Sequence, residues 1–400
     1  MKYVILVPDG MSGLPVEELD DMTCMEKANT PNMDLVARKG VVGMARTVPR
    51  GMVPASDVAN LSILGYDPQK YYCGRGPLEA ANLGVDLGDN DVAFRFNTVT
   101  VSGGKMMDYC AGHISTKEAA VLVKVLSEEM GGGKFSFYPG TSYRHLMVAR
   151  CSGPEEVESM TKLKCTPPHD ISDKEIAKYY PKDPEITDIM NRSVNVLEGH
   201  DINKVRVDLG QNPANMIWIW GQGKKPDIPL FKDAYNLTGG IISAVDLIKG
   251  MGRVLGLEVV EVPGATGYYD TDYDGKAKAA MKVLEAKDLV FVHVEAPDEA
   301  GHNGDIREKL RALENFDRKI TGPVIDMLAA DGCAYRVLIM PDHPTPVKLK
   351  THTADPVPFA MAGTGIDPDD VTVFTERSAK SGSMGLKKGS DLLRMLLDVS

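Results

Sequence analysis

The chain lacks a broad positive field. Its 400 residues carry Lys+Arg 45 against Asp+Glu 56, a formal charge of −11, so a nucleic-acid backbone or an anionic membrane surface is repelled on average. Small anionic substrates are not excluded, because a few local cations or bound metal ions reverse the field inside a cleft. Cysteine is sparse. Cys24, Cys73, Cys110, Cys151, Cys165 and Cys333 form no C-x-x-C pair, which argues against a zinc ribbon or a disulfide framework and reads as reduced thiols of a cytoplasmic protein. Long hydrophobic runs are missing as well. The apolar start Tyr3-Val4-Ile5-Leu6-Val7 meets Pro8-Asp9, too short for a signal peptide or a spanning helix, and reads as a buried strand. There is no internal repeat, no low-complexity tract and no P-loop. Gly250-Met251-Gly252-Arg253-Val254-Leu255-Gly256 ends a helical pattern instead of following a strand, the wrong context for a dinucleotide loop.

What is present is a composition of 43% hydrophobic and 25% charged residues, in a chain long enough for two or three domains at roughly 150 residues each. Short β-rich runs followed by turn residues and helical patterns argue for an α/β fold, a mostly parallel sheet with helices on both faces. The clearest strands are Tyr3 to Val7, Leu289 to Val294 and Arg336 to Met340, apolar almost throughout, as strands covered on both faces must be. Helical patterns run over Pro31 to Lys39, Ser243 to Leu255, Lys276 to Glu285, Ile306 to Ala330 and Ser390 to Asp398. The stretch from Cys151 to Asp188 is polar and Pro-rich instead. These signals predict a discontinuous core domain over 1–78 and 226–400, with an inserted α+β domain over 79–225.

Each strong strand is followed by hard or borderline metal ligands: Asp9 after the first, Asp298, Glu299 and His302 after the second, Asp342 and His343 after the third. His352 lies close behind Asp342. The carboxyl ends of parallel strands line the ligand crevice of an open α/β sheet, so these seven groups converge there if the strands are neighbours. Asp298 and His302, four apart, share one face of a helical turn. Any one Asp here could be a helix N-cap and any one His a satisfied polar group. Their conjunction in a chain with 8 His points to a site for two divalent ions, with oxygen and imidazole ligands suited to Mn²⁺, Mg²⁺ or Zn²⁺. The nucleophile such a site needs is Ser56, in Pro54-Ala55-Ser56-Asp57-Val58-Ala59-Asn60-Leu61-Ser62, at the start of a helical pattern where backbone N–H groups favour an alkoxide or a phosphate. A plain N-cap is the competing role for Ser56.

Pro8-Asp9-Gly10, Asn29-Thr30-Pro31-Asn32-Met33-Asp34, and Ser56 to Pro68 with Tyr71-Tyr72-Cys73-Gly74-Arg75-Gly76-Pro77-Leu78-Glu79-Ala80 resemble cofactor-independent phosphoglycerate mutase in its compact, archaeal-type form, a branch of the alkaline phosphatase superfamily. The resemblance continues through Ala111-Gly112-His113-Ile114, Ile219-Trp220-Gly221-Gln222-Gly223, Pro263-Gly264-Ala265-Thr266-Gly267, Asp298-Glu299-Ala300-Gly301-His302 and Pro341-Asp342-His343. It spans essentially the whole chain. It implies an alkaline phosphatase-like core, a phosphorylated serine at Ser56, and a substrate-binding lid over 79–225 that keeps water from that phosphoserine. It further implies Asp9, Ser56, Asp342 and His343 on one ion, and Asp298, His302 and His352 on the other. His113 resembles the family's His that faces the phosphate and glycerate.

Arg75, Arg144 and Lys276 are candidates for gripping phosphate and carboxylate, since guanidinium offers a bidentate fork. His169-Asp170 is a weaker one. The activity implied is interconversion of 3-phosphoglycerate and 2-phosphoglycerate through phosphoserine, with manganese the expected metal and no 2,3-bisphosphoglycerate. Asp108-Tyr109-Cys110-Ala111-Gly112-His113 lacks the paired arginines of archaeal members and looks more like a bacterial subgroup proposed to be homoserine kinase. A kinase or phosphatase acting on another small hydroxy acid is therefore the alternative. A catalytically idle metal-binding regulator is a third reading, opposed by the retained Ser56 and full ligand set.

Overall fold

The computed structural model describes residues 1–398. It divides into two units, Met1–Tyr72 with Ile228–Ser400, and Cys73–Asp227. A boundary after residue 78 would cut the helix Arg75–Leu83, which lies whole in the second unit. The break falls between Tyr72 and Cys73, followed by Gly74, whose φ of +90° suits a residue without Cβ; an added Cβ would strike the Gln222 carbonyl.

The first unit is built on an eight-stranded sheet. Lys2–Pro8 lies near its middle, flanked in parallel by Leu289–Val294 and Tyr335–Ile339, so the three strongest strands of the sequence are neighbours. Gly239–Ile242 and Glu258–Val260 extend the parallel run on one side. On the other side, Val357–Gly363 enters antiparallel, followed by Gly40–Arg46 and then Gly385–Lys388. Val4, Ile5, Leu6 and Val7 are all fully buried, as are Val290, Phe291 and Val292. Helices cover both faces, which is why these strands read as continuous apolar runs without alternation.

The expected helix over Ile306 to Ala330 is three elements: Ile306–Phe316, a π-helical turn at Asp317–Thr321, and Gly322–Ala330. Pro323 explains the break, because it has no N–H for the carbonyl of Lys319 and its ring crowds that turn.

The second unit is α+β. Its long strand Asp91–Ser102 pairs antiparallel with Lys105–Asp108, Arg144–Arg150 and Met216–Lys224, and Phe135–Tyr138 joins at Arg144–Arg150. Helices Thr116–Met130 and Pro184–Leu197 bury Leu122, Leu126, Ile186 and Ile189 in the same core as Phe94, Phe96 and Trp218. Among the described residues, no helix is long and apolar enough to cross a membrane.

Candidate active site

The carboxyl ends of three adjacent strands carry the polar groups of the first unit. Asp9 directly follows Lys2–Pro8, Glu295 directly follows Leu289–Val294, and Asp342 lies three residues beyond Ile339. Asp298 is the third residue of the helix Ala296–Asn303, and His302 sits one turn on. None of these acids is an N-cap whose side chain bonds its own helix end. Ser56 is the first residue of the helix Ser56–Ile63; the N-cap is Ala55, without any side-chain cap bond. The capping role is thereby set aside, and the Ser56 hydroxyl points elsewhere: Oγ lies 3.1 Å from His343 Nε2.

Two groups of ligating atoms meet. Around His343, Nε2 lies 3.6 Å from Asp9 Oδ1 and 3.4 Å from Asp342 Oδ2. Beside it, Asp298 faces His302 Nε2 at 3.1 Å and His352 Nε2 at 3.4 Å, and the two Nε2 atoms are 2.9 Å apart. The His343 and His352 ring centres are 3.9 Å apart, so the groups adjoin. Glu299, next to Asp298, is in neither group, because one helical residue turns the side chain away by about 100°.

The frame holding these atoms is polar and buried. Asn60 donates to both Asp342 Oδ2 (2.8 Å) and the Ser56 carbonyl (2.9 Å). Gly10 N–H donates to Asp342 Oδ1 at 3.1 Å. His302 and His352 are steered from behind, their Nδ1 atoms near the carbonyls of Lys350 (3.1 Å) and Pro54 (3.3 Å), the outer-shell arrangement that leaves Nε2 free to ligate.

The donor chemistry fits a pair of divalent cations. Asp9 is fully buried and neither of its carboxylate oxygens accepts a hydrogen bond, an arrangement that is costly without a cation. Burial, with Asp342 and Asp298 adding to it, drives the Asp9 pKa well up. Burial works against the Asp298 carboxylate too, but His302 and His352 outweigh it and hold its pKa well below the usual value. Burial pushes His343 down to about 4, so it is neutral and able to ligate at neutral pH.

His293 and Glu295 escaped the sequence reading. His293 Nε2 lies 3.0 Å from Asp9 Oδ2, and these two residues form with Glu295 a third cluster of ligating atoms. His293 is hidden inside an apolar strand, where periodicity gives no warning. A polar residue in an otherwise apolar run is the signal that could have found it. Lys276 is entirely buried, its Nζ donating to the His293 carbonyl at 3.1 Å, and burial lowers its pKa to about 8. It is thus neither a solvated surface charge nor an exposed grip for an anion.

In the second unit the structure brings Arg75 and Arg144 together with Arg95, which went unnoticed within Phe94-Arg95-Phe96. Arg75 and Arg95 stack on Trp220 at 5.4 and 4.8 Å, and Arg144 lies 5.3 Å from the Tyr143 ring. Burial lowers the Arg95 pKa to about 10, its Glu79 partner at 3.3 Å opposes this, and Arg75 and Arg144 add to the lowering. His113 and His169 join through the same aromatic string, His113 at 6.2 Å from Tyr143 and His169 at 5.6 Å from Trp220. His113 is exposed and closes a left-handed run, Ala111 (φ 49°), Gly112 (φ 64°) and His113 (φ 51°). Asp108 accepts from the Cys110 and Gly112 amides, and Arg206 donates to the Ala111 carbonyl at 2.7 Å. Such strain persists only where the surroundings enforce it.

A family model described as 2,3-bisphosphoglycerate-independent phosphoglycerate mutase matches residues 37–203. The chain is 51% identical over 401 residues to the protein of that name from Methanosarcina barkeri, covering 99% of each. With the Methanosarcina acetivorans protein of the same name it is 52% identical over 403 residues, covering 100% of each. Among solved structures it resembles the PH0037 protein from Pyrococcus horikoshii, with a TM-score of 0.83, 31% identity, and coverage of 100% of this chain and 97% of that one. It also resembles the cofactor-independent phosphoglycerate mutase from Thermoplasma acidophilum, with a TM-score of 0.65, 27% identity and 99% of each chain covered. Homoserine kinase, the alternative suggested by the segment from Asp108 to His113, is not what these relatives are named for.

Proposed function

Because the chain belongs to the 2,3-bisphosphoglycerate-independent phosphoglycerate mutases, isomerases acting on a phosphoglycerate, we propose that Ser56 is its nucleophile and carries the phosphoryl group between the two hydroxyls of glycerate. Asp9, Ser56, Asp342 and His343 would hold one divalent ion, and Asp298, His302 and His352 the other, with Mn²⁺ the proposed metal. Divalent ions held there would supply a lowered pKa for the Ser56 hydroxyl and neutralisation of the charge on the transferring phosphoryl group. As the Ser56 Oγ–P bond forms, the C3 O–P bond of 3-phosphoglycerate breaks and the Ser56 proton ends on the C3 oxygen; the C2 oxygen then bonds phosphorus as the Ser56 Oγ–P bond breaks, and the C2 hydroxyl proton returns to Ser56 Oγ. The amides at the start of Ser56–Ile63 face the phosphoryl oxygens, and Asn60 keeps that helix fixed to Asp342. Arg75, Arg144 and His113 grip the anionic ends of the glycerate, which makes the second unit the substrate-binding domain.

The observation that carries this reading is the Ser56 hydroxyl 3.1 Å from His343 Nε2, beside the unbonded Asp9 carboxylate. Rapid quenching with 3-phosphoglycerate, then intact-mass and peptide analysis, is expected to show one added phosphoryl group on the peptide containing Ser56. Ser56→Ala is expected to cost about 1 kcal/mol of stability, the value of one hydrogen bond, and to abolish turnover. A label on His113, or a near-normal rate in Ser56→Ala, overturns it. Chelation is expected to remove activity and Mn²⁺ to restore it.

A further inference from the structure

One hydroxyl touches both groups of ligands. Thr345 is fully buried; its Oγ1 bonds Asp298 Oδ1 and lies 3.3 Å from His343 Nδ1. A threonine hydroxyl has one hydrogen and spare lone pairs. Ionised Asp298 can only accept, so the hydroxyl donates to Asp298 and accepts from His343 Nδ1–H. That order leaves His343 Nε2 without a proton, on the side of Ser56, Asp9 and Asp342.

Thr345 itself is clamped. Lys309, 1% exposed, donates from Nζ to the Thr345 carbonyl at 2.6 Å and reaches the Ser12 carbonyl at 3.5 Å. Thr345 N–H also donates to Ser12 O at 3.1 Å. The segment after Asp9 and the segment after Asp342 are thus tied by one ammonium and one threonine. Room for the hydroxyl comes from Gly10, at φ +60°, where a Cβ would sit 2.5 Å from Asp298 Oδ1 and 2.6 Å from Thr345 Oγ1.

We propose that Thr345, held by Lys309, is a positioning residue that couples the two metal positions, fixing the tautomer of His343 on one side and the orientation of Asp298 on the other. The inference rests on the ligand assignment above. Outer-shell partners of this kind affect metal affinity by about 10- to 100-fold.

The test is calorimetric titration of the chelated full-length protein with Mn²⁺, beside its thermal melting in chelator. Wild type is expected to take up two ions per chain. Thr345→Val, which keeps the shape and loses the hydroxyl, is expected to melt below wild type in chelator but still in one cooperative transition, because Asp298 Oδ1 loses a buried donor, and to bind both ions at least tenfold more weakly. Thr345→Ser, which keeps the hydroxyl, is expected to stay within about threefold of wild type. Lys309→Met, which bonds no ligand but removes a cation whose field reaches Asp298 and Asp9, is expected to weaken binding in the same direction as Thr345→Val, and unchanged or tighter binding overturns the part given to Lys309. Wild-type uptake by Thr345→Val overturns the coupling, and so does an equal loss in Thr345→Ser, which would make the role one of packing. If wild type takes up no ion, or Asp298→Asn binds as wild type does, the ligand assignment itself is overturned.

Discussion

Without metal, His302 and Glu295 hold protons at pH values where the unfolded chain has released them. Burial disfavours the His302 cation, but Asp298 outweighs it and lifts the pKa from 6.5 to about 9. Burial, with Asp298 pressing the same way, lifts Glu295 from 4.5 to about 8. His343 and His293, pushed by burial down to about 4, and His145, pushed down to about 3, work the other way, but only while the unfolded imidazoles still hold protons; from about pH 7 to 8 the folded state binds more protons than the unfolded one, and stability falls as pH rises. Lys276, lowered by burial to about 8 from 10.5, opposes this slope increasingly toward pH 8. Scanning calorimetry in chelator is expected to show Tm falling from pH 7 to 8, and Mn²⁺ to flatten the slope by displacing those protons; a rising Tm over that range refutes it. The residues that set this slope differ in legibility. His302 was readable, standing four residues after Asp298 in a turn that follows an apolar run. Glu295 was not, because burial at a strand end leaves no mark in local spacing. Nor was the burial of Lys276, since a lysine within a helical pattern looks like a solvated face.

At the scale of elements, the helix Pro31–Arg38 begins without a bond from its own N-cap, Thr30. Its free amides are satisfied from elsewhere: Asp317, in the π-helical turn, accepts from Met33 N–H at 2.7 Å and from Asn32 N–H at 3.3 Å, and also from the Asn32 side chain at 2.8 Å. The widened turn around Pro323 thus places a capping carboxylate. Asp317→Ala is expected to cost about 1–2 kcal/mol in urea-induced unfolding, the range for losing an N-cap, and Asp317→Asn less. No loss in Asp317→Ala would sever the turn from the helix. The three neighbouring strands were legible because helices on both faces demand apolar residues at every position; Leu289–Val294 coincides with its expected range. The reversal of Val357–Gly363 was not, since Ala360 and Ala362 pack equally well in either direction.

At the scale of the molecule, the second unit is one continuous segment with its own core of Phe94, Phe96, Leu122, Ile189 and Trp218. A fragment of residues 73–227 is expected to fold alone and melt cooperatively; a chain without a sharp transition by circular dichroism would refute that. The first unit cannot be excised in this way, because its ligand-bearing strands come from both ends of the sequence. Ser56 and His343 are separated by 287 positions, and Gly10 and Asp342 by 332. During synthesis, then, the chain carries Asp9 and Ser56 out of the ribosome long before any imidazole partner exists, and at roughly 5–20 residues per second that interval lasts tens of seconds. A nascent or truncated product has no complete cradle in which to trap a cation or spend a phosphoryl group. Competence arrives only after His343 and His352 have emerged, so the order of translation itself acts as a safeguard against premature chemistry.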